Sequence, residues 1–67
     1  MEDFQKRVVE EKAELDSKLH KLRTFIASDK FRQLTNPDHA WLLVMQMRAM
    51  ENYTMILDRR LTLWGID

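Results

Sequence analysis

Pro37 is the only proline in this chain, and its position decides what the rest can become. It separates two long segments, and no glycine interrupts either of them before Gly65. In the first segment, Phe4, Val8, Leu15, Leu19, Leu22 and Ile26 are spaced by threes, fours and sevens. That spacing gathers them on one face of an α-helix, and Phe25 widens the face at its end. In the second, Leu43, Gln46, Met50, Tyr53, Leu57, Arg60 and Trp64 alternate steps of three and four, the pattern of a heptad seam. Strand signals are missing: there is no period-two alternation and no Asn-Gly or Asp-Gly turn. The expected fold is all-α, an antiparallel two-helix hairpin with a short connecting helix, forming one domain over residues 1–67 and assembling into an oligomeric helical bundle.

The boundaries follow from capping chemistry. Asp3 can accept from free backbone N–H groups and is the expected N-cap of a helix running to about Ala27. Glu14 and Lys18 form an acid-before-base pair at i, i+4. Ser28 can cap a short turn carrying Phe31 and Leu34, which can fold back as a lid on the hairpin end. Thr35 with Asp38 resembles a capping box, while Asn36 is an alternative cap; either leaves Pro37 in the first turn, where its missing N–H costs nothing. The second helix should end near Trp64, with Gly65 admitting the left-handed conformation that stops it.

Size sets the next constraint. A chain of 67 residues buries only about 60% of its unfolded surface and is marginal alone. Without cysteine, disulfides and thiolate metal sites are excluded. His20 and His39 have no neighbours that would complete a metal site, so no cofactor is expected. Oligomerisation remains as the stabiliser. The second helix supplies the means, because a further apolar row of Leu42, Met45, Ala49, Ile56 and Leu63 lies beside its seam. One partner helix covers one stripe. The second row, with Trp64 at its end, is the expected homomeric interface, and Trp41 and Met47 add bulk at its edges. The alternative is that Phe31 and Leu34 cover it.

Eleven basic residues balance eleven acidic ones, which argues against bulk nucleic-acid binding. No apolar run is long enough to span a membrane, and Met1-Glu2-Asp3 does not resemble a signal peptide. A cytoplasmic location is expected.

Few residues suggest chemistry. Glu11 interrupts the first apolar stripe and Arg60 the second, and a register with Ile26 opposite Leu43 would bring them together. That pairing reads as an ion pair setting register. It also reads as an anion-binding cluster, with Arg7 and Arg59 near Arg60. Gln46 and Tyr53 can likewise fill the seam, or Tyr53 can stack on a base while Asn52, Arg48 or Lys18 supplies polar contacts. Met45, Met47, Met50 and Met55 read as core filler or as an adaptable binding surface. No nucleophile with its base and no Gly-rich loop is present, so an enzyme is not expected.

Across nearly the whole chain, the pattern resembles a family of very small phage and prophage proteins, some named after a crAss-like phage. It runs from Phe4-Gln5-Lys6-Arg7-Val8 through Gln46-x-x-Ala49-Met50-x-x-Tyr53 to Arg60. That family is similar in size and helical build to the hairpins of anti-CBASS and anti-Thoeris sponge proteins, which oligomerise and sequester cyclic nucleotide immune signals without cleaving them. The resemblance implies a ligand held between protomers in the host cytoplasm, a cyclic oligonucleotide or cyclic ADP-ribose. By residue chemistry the ligand-binding candidates are Arg7, Lys18, Arg48, Asn52, Tyr53, Arg59 and Arg60. The competing expectation is an adaptor or inhibitor that engages a host defence protein or a phage protein through the apolar face of the second helix.

Overall fold

The computed structural model describes residues 1–66. It contains three helices, α1 (Asp3–Ile26), α2 (Asp29–Arg32) and α3 (Pro37–Leu63), and no strand among the described residues. Helix α1 lies antiparallel on α3. Phe4 meets Trp64 near one end, Asp16 bonds Thr54 midway, and Arg23 reaches Glu51 further along. This register is close to the expected one. The rod measures 47 × 15 × 15 Å, so it is only two helices thick and every side chain lies near solvent.

The capping residues explain where each helix begins and ends. Glu2, not Asp3, is the N-cap of α1, and the Gln5 side chain accepts from its backbone N–H at 3.0 Å. Of the two candidates for α3, Asn36 is the cap, accepting from the N–H groups of Asp38 and His39, with Pro37 opening the helix. Gly65 ends α3 at φ 73°. Ile66 N–H then reaches Leu61 C=O at 2.8 Å and Gly65 N–H reaches Thr62 C=O at 3.0 Å. This is a Schellman motif, and its hydrophobic contact is Ile66 packing against the core that contains Leu61.

The seam differs from the expected one. The buried core is Val8, Leu15, Leu19, Leu57 and Leu61. On α3 the inward positions are Ala40, Leu43, Met47, Met50, Thr54, Leu57, Leu61 and Trp64, each buried or half-buried. Leu43, Met50, Leu57 and Trp64 were expected there. Gln46, Tyr53 and Arg60 are exposed instead, and Met47, Thr54 and Leu61 take their places. Both sets satisfy steps of three and four with Leu43, Met50, Leu57 and Trp64. The apolar Met47 and Leu61 lose more by exposure than Gln46 and Arg60 do, so the helix turns them inward.

On α1 the inward row is Gln5, Val8, Lys12, Leu15, Leu19, Leu22 and Ile26. The polar interruption is therefore Lys12, with Glu11 at the edge. The expected Glu11–Arg60 ion pair does not form among the described residues: Arg60 lies over the Trp64 ring, 5.5 Å from its centroid. The i, i+4 pair present on α1 is Lys12–Asp16 at 2.8 Å, not Glu14–Lys18. Phe31 packs edge-on against Phe25, centroids 6.2 Å apart, closing the hairpin end. It does not cover the second row of α3, since Leu42, Met45, Ile56 and Leu63 stay 44–85% exposed.

Candidate functional site

The hairpin has two unlike flanks. One carries the polar contacts between the helices. Asp16 accepts from Lys12 and from the Thr54 hydroxyl, and Arg23 pairs with Glu51 at 2.8 Å. Beside them an open groove of about 210 Å³ is lined by Val9, Lys12, Ala13, Asp16, Asp58 and Leu61. The Lys12 ammonium, then the Thr54 hydroxyl, hold the Asp16 carboxyl below its ordinary range. The same hydrogen bond to Asp16 raises Lys12. Sequence reasoning missed this polar layer. Its signal was present, because Lys12 and Thr54 occupy heptad core positions of their respective helices.

The other flank carries most of the chemistry expected of a binding surface. Glu51 and Asp58 sit on the first flank, so the helical order of positions puts Gln46, Tyr53 and Arg60 on the opposite edge of α3. The same reasoning on α1 turns Phe4, Glu11, Lys18 and Phe25 toward that edge, with Arg7 just behind. The antiparallel register sets Lys18 level with Tyr53 and Glu11 level with Arg60. Among the described residues, none of Arg7, Lys18, Arg48, Arg59 and Arg60 takes part in an ion pair. Arg60 lies over the Trp64 ring, and among the described residues no carboxylate pairs with it. Tyr53 is 45% exposed.

The remaining candidates lie elsewhere. Arg48, Asn52 and Arg59 are exposed on the back of α3, among Leu42, Met45, Ala49, Ile56 and Leu63. The structure thus brings Lys18, Tyr53 and Arg60 to one flank, with Arg7 at its margin, and leaves Arg48, Asn52 and Arg59 on the adjoining face. Trp64 is half-buried, packed edge-on against Phe4 with centroids 5.2 Å apart, and so contributes to the intrachain core. Large apolar side chains also stand on the back of α3, with Trp41 62% and Leu42 63% exposed. No described helix is long and apolar enough to cross a membrane.

Fold and surface together define a small α-helical hairpin with exposed polar and apolar faces. The Sequestin family model matches residues 2–63, and the chain belongs to that family. No curated protein and no solved structure matches it.

Proposed function

We propose that this chain is a phage-encoded anti-defence protein that self-associates in the host cytoplasm and sequesters a cyclic nucleotide immune signal without turning it over. The observation that carries the reading is the Sequestin match over residues 2–63, a family whose name denotes sequestration. The geometry supports it. Lys18 and Arg60 flank Tyr53 on one edge, two cations with no ion-pair partner among the described residues, beside an exposed ring. Cations of this kind bind phosphate oxygens, and the ring offers a stacking platform for a base. Self-association is supported by the exposed apolar row on the back of α3, where Leu42, Met45, Ile56 and Leu63 are 44–85% exposed.

The test is retention without conversion. Purified protein is mixed with individual cyclic di- and trinucleotides and cyclic ADP-ribose isomers, then passed through a filter that holds protein back. The reading expects one ligand class to be depleted from the filtrate in fixed proportion to protein, and to reappear chemically intact after the protein is denatured. Recovery of a cleaved product, or no depletion across the panel, contradicts it.

A second reading has its own observation. Trp41 and Leu42 are more than half exposed near the start of α3, where an amphipathic groove on another protein could accept them. In that case the chain is an adaptor or inhibitor of a host or phage protein and ignores the nucleotide panel.

A further inference from the structure

The exposed face of α3 contains two rows whose centres lie within half a residue of each other. Leu42, Ala49, Ile56 and Leu63 repeat every seven residues, and the midpoint of that row lies between Asn52 and Tyr53. Gln46, Tyr53 and Arg60 repeat in the same way in the neighbouring row, with Tyr53 as midpoint. All seven are exposed in the protomer. A face with this arrangement complements itself when reversed. We infer that α3 pairs with α3 of a second copy, antiparallel, about a twofold axis beside Tyr53, and that the Tyr53 flank becomes a complete site only across this axis.

Charge and size choose the antiparallel arrangement. Reversed about that centre, Leu42 lies level with Leu63 of the second copy, and the small Ala49 level with the larger Ile56. Arg60 falls beside the neutral Gln46 of the second copy, Arg59 level with that Gln46, and Arg48 near Met55 and Thr62. No cation faces a cation. A parallel pair in register would set Arg59 against Arg59 inside the interface and Ala49 against Ala49, combining like-charge repulsion with a void. In an isologous contact each residue i meets j while j meets i, and these layers pair in that way.

The pairing also changes the flank. The two Tyr53 rings meet at the axis. Arg60 of each copy stands beside Gln46 of the other, and Lys18 of each α1 lies alongside. At ~1.5 Å per residue, the two Arg60 positions lie ~22 Å apart along the helices, with both rings between them. On the proposed function, such a row accommodates a ligand with two anionic groups flanking stackable bases. The pairing of the two α3 helices does not depend on that reading.

The chain has no cysteine, so engineered ones report without background. The experiment mixes the L42C and L63C variants of the full chain under mild oxidation, without ligand, and reads crosslinked species by non-reducing electrophoresis. The inference expects a disulfide-linked pair at twice the 8.1 kDa protomer mass in the mixture, and little from either variant alone. Crosslinking of L42C with itself, or none in any combination, overturns it. I56D, which places a carboxylate in the interface at a position exposed in the protomer, is expected to convert the pair to monomer while keeping its helical circular dichroism. A wild-type mass for helical I56D would also overturn it. Because these measurements use no nucleotide, failure of the sequestration reading would leave their outcome untouched.

Discussion

Replacing Leu57 by Ala tests the core most sharply. Leu57 is 1% exposed and packs among Val8, Leu15 and Leu61. A buried Leu→Ala change costs about 2–5 kcal/mol, from lost transfer energy and the cavity left behind. This rod is only 15 Å across, so neighbours can relax into the gap and the cost falls at about 2–3 kcal/mol. At roughly 4–8 °C per kcal/mol for a chain of this size, the melting temperature drops by roughly 10–20 °C. The assay is thermal circular dichroism, with wild type and variant at one protomer concentration, because the proposed self-association would make melting concentration-dependent. The neighbouring Ile56→Ala provides the contrast. Ile56 is 53% exposed in the protomer, so at dilution it loses less than about 1 kcal/mol, and its effect grows with protein concentration. A Leu57→Ala protein melting within a degree or two of wild type would refute the packing described above.

Other perturbations reach the remaining parts of the account. Asp16, held below its ordinary 3.8, stabilises the fold fully above that value and loses its contribution as pH falls through the lower folded value. Lys12, raised above 10.5, contributes fully below that value and loses its contribution as pH rises through the higher folded one. Thr54→Val removes one donor to Asp16, so the acid limb of a pH-denaturation curve shifts upward, and an unchanged limb would separate Thr54 from that carboxylate. Asn36→Ala uncaps α3 and costs about 1 kcal/mol in urea denaturation; a neutral result would mean that the cap carries no stability. Tyr53→Ala and Arg60→Ala are each expected to lower nucleotide retention by roughly 1–3 kcal/mol, about fivefold or more, while the hairpin keeps its helical circular dichroism. Full retention in both variants would move the site off this flank.

The hairpin was legible because its evidence is local. Helical spacing, Pro37 and Gly65 read directly as two long helices and their ends, and the register of α1 on α3 was close to that observed. The rotation of α3 about its axis was not legible from spacing alone. Leu43, Met50, Leu57 and Trp64 belong both to a row with Gln46, Tyr53 and Arg60 and to a row with Met47, Thr54 and Leu61. Comparing the burial cost of the two sets favours the second, since Met47 and Leu61 gain from burial what Arg60 would lose. The same rotation explains why Lys12 meets Asp16 and Thr54 where Glu11 and Arg60 were expected to meet. The candidate site was partly legible. Tyr53, Arg60 and Lys18 were named from their chemistry, and the rotation that takes Tyr53 and Arg60 out of the core is what leaves them exposed. The gathering of Lys18 with them on one flank needs both the register and the rotation, so spacing along one helix could not reveal it.

Native mass spectrometry of the purified chain, alone and with the panel of cyclic nucleotides and cyclic ADP-ribose isomers, tests the central claim most directly. The account predicts a discrete oligomer built from an even number of copies that gains a fixed number of intact ligand masses from one ligand class. A monomer, or an oligomer whose mass is unchanged by every member of the panel, would contradict it.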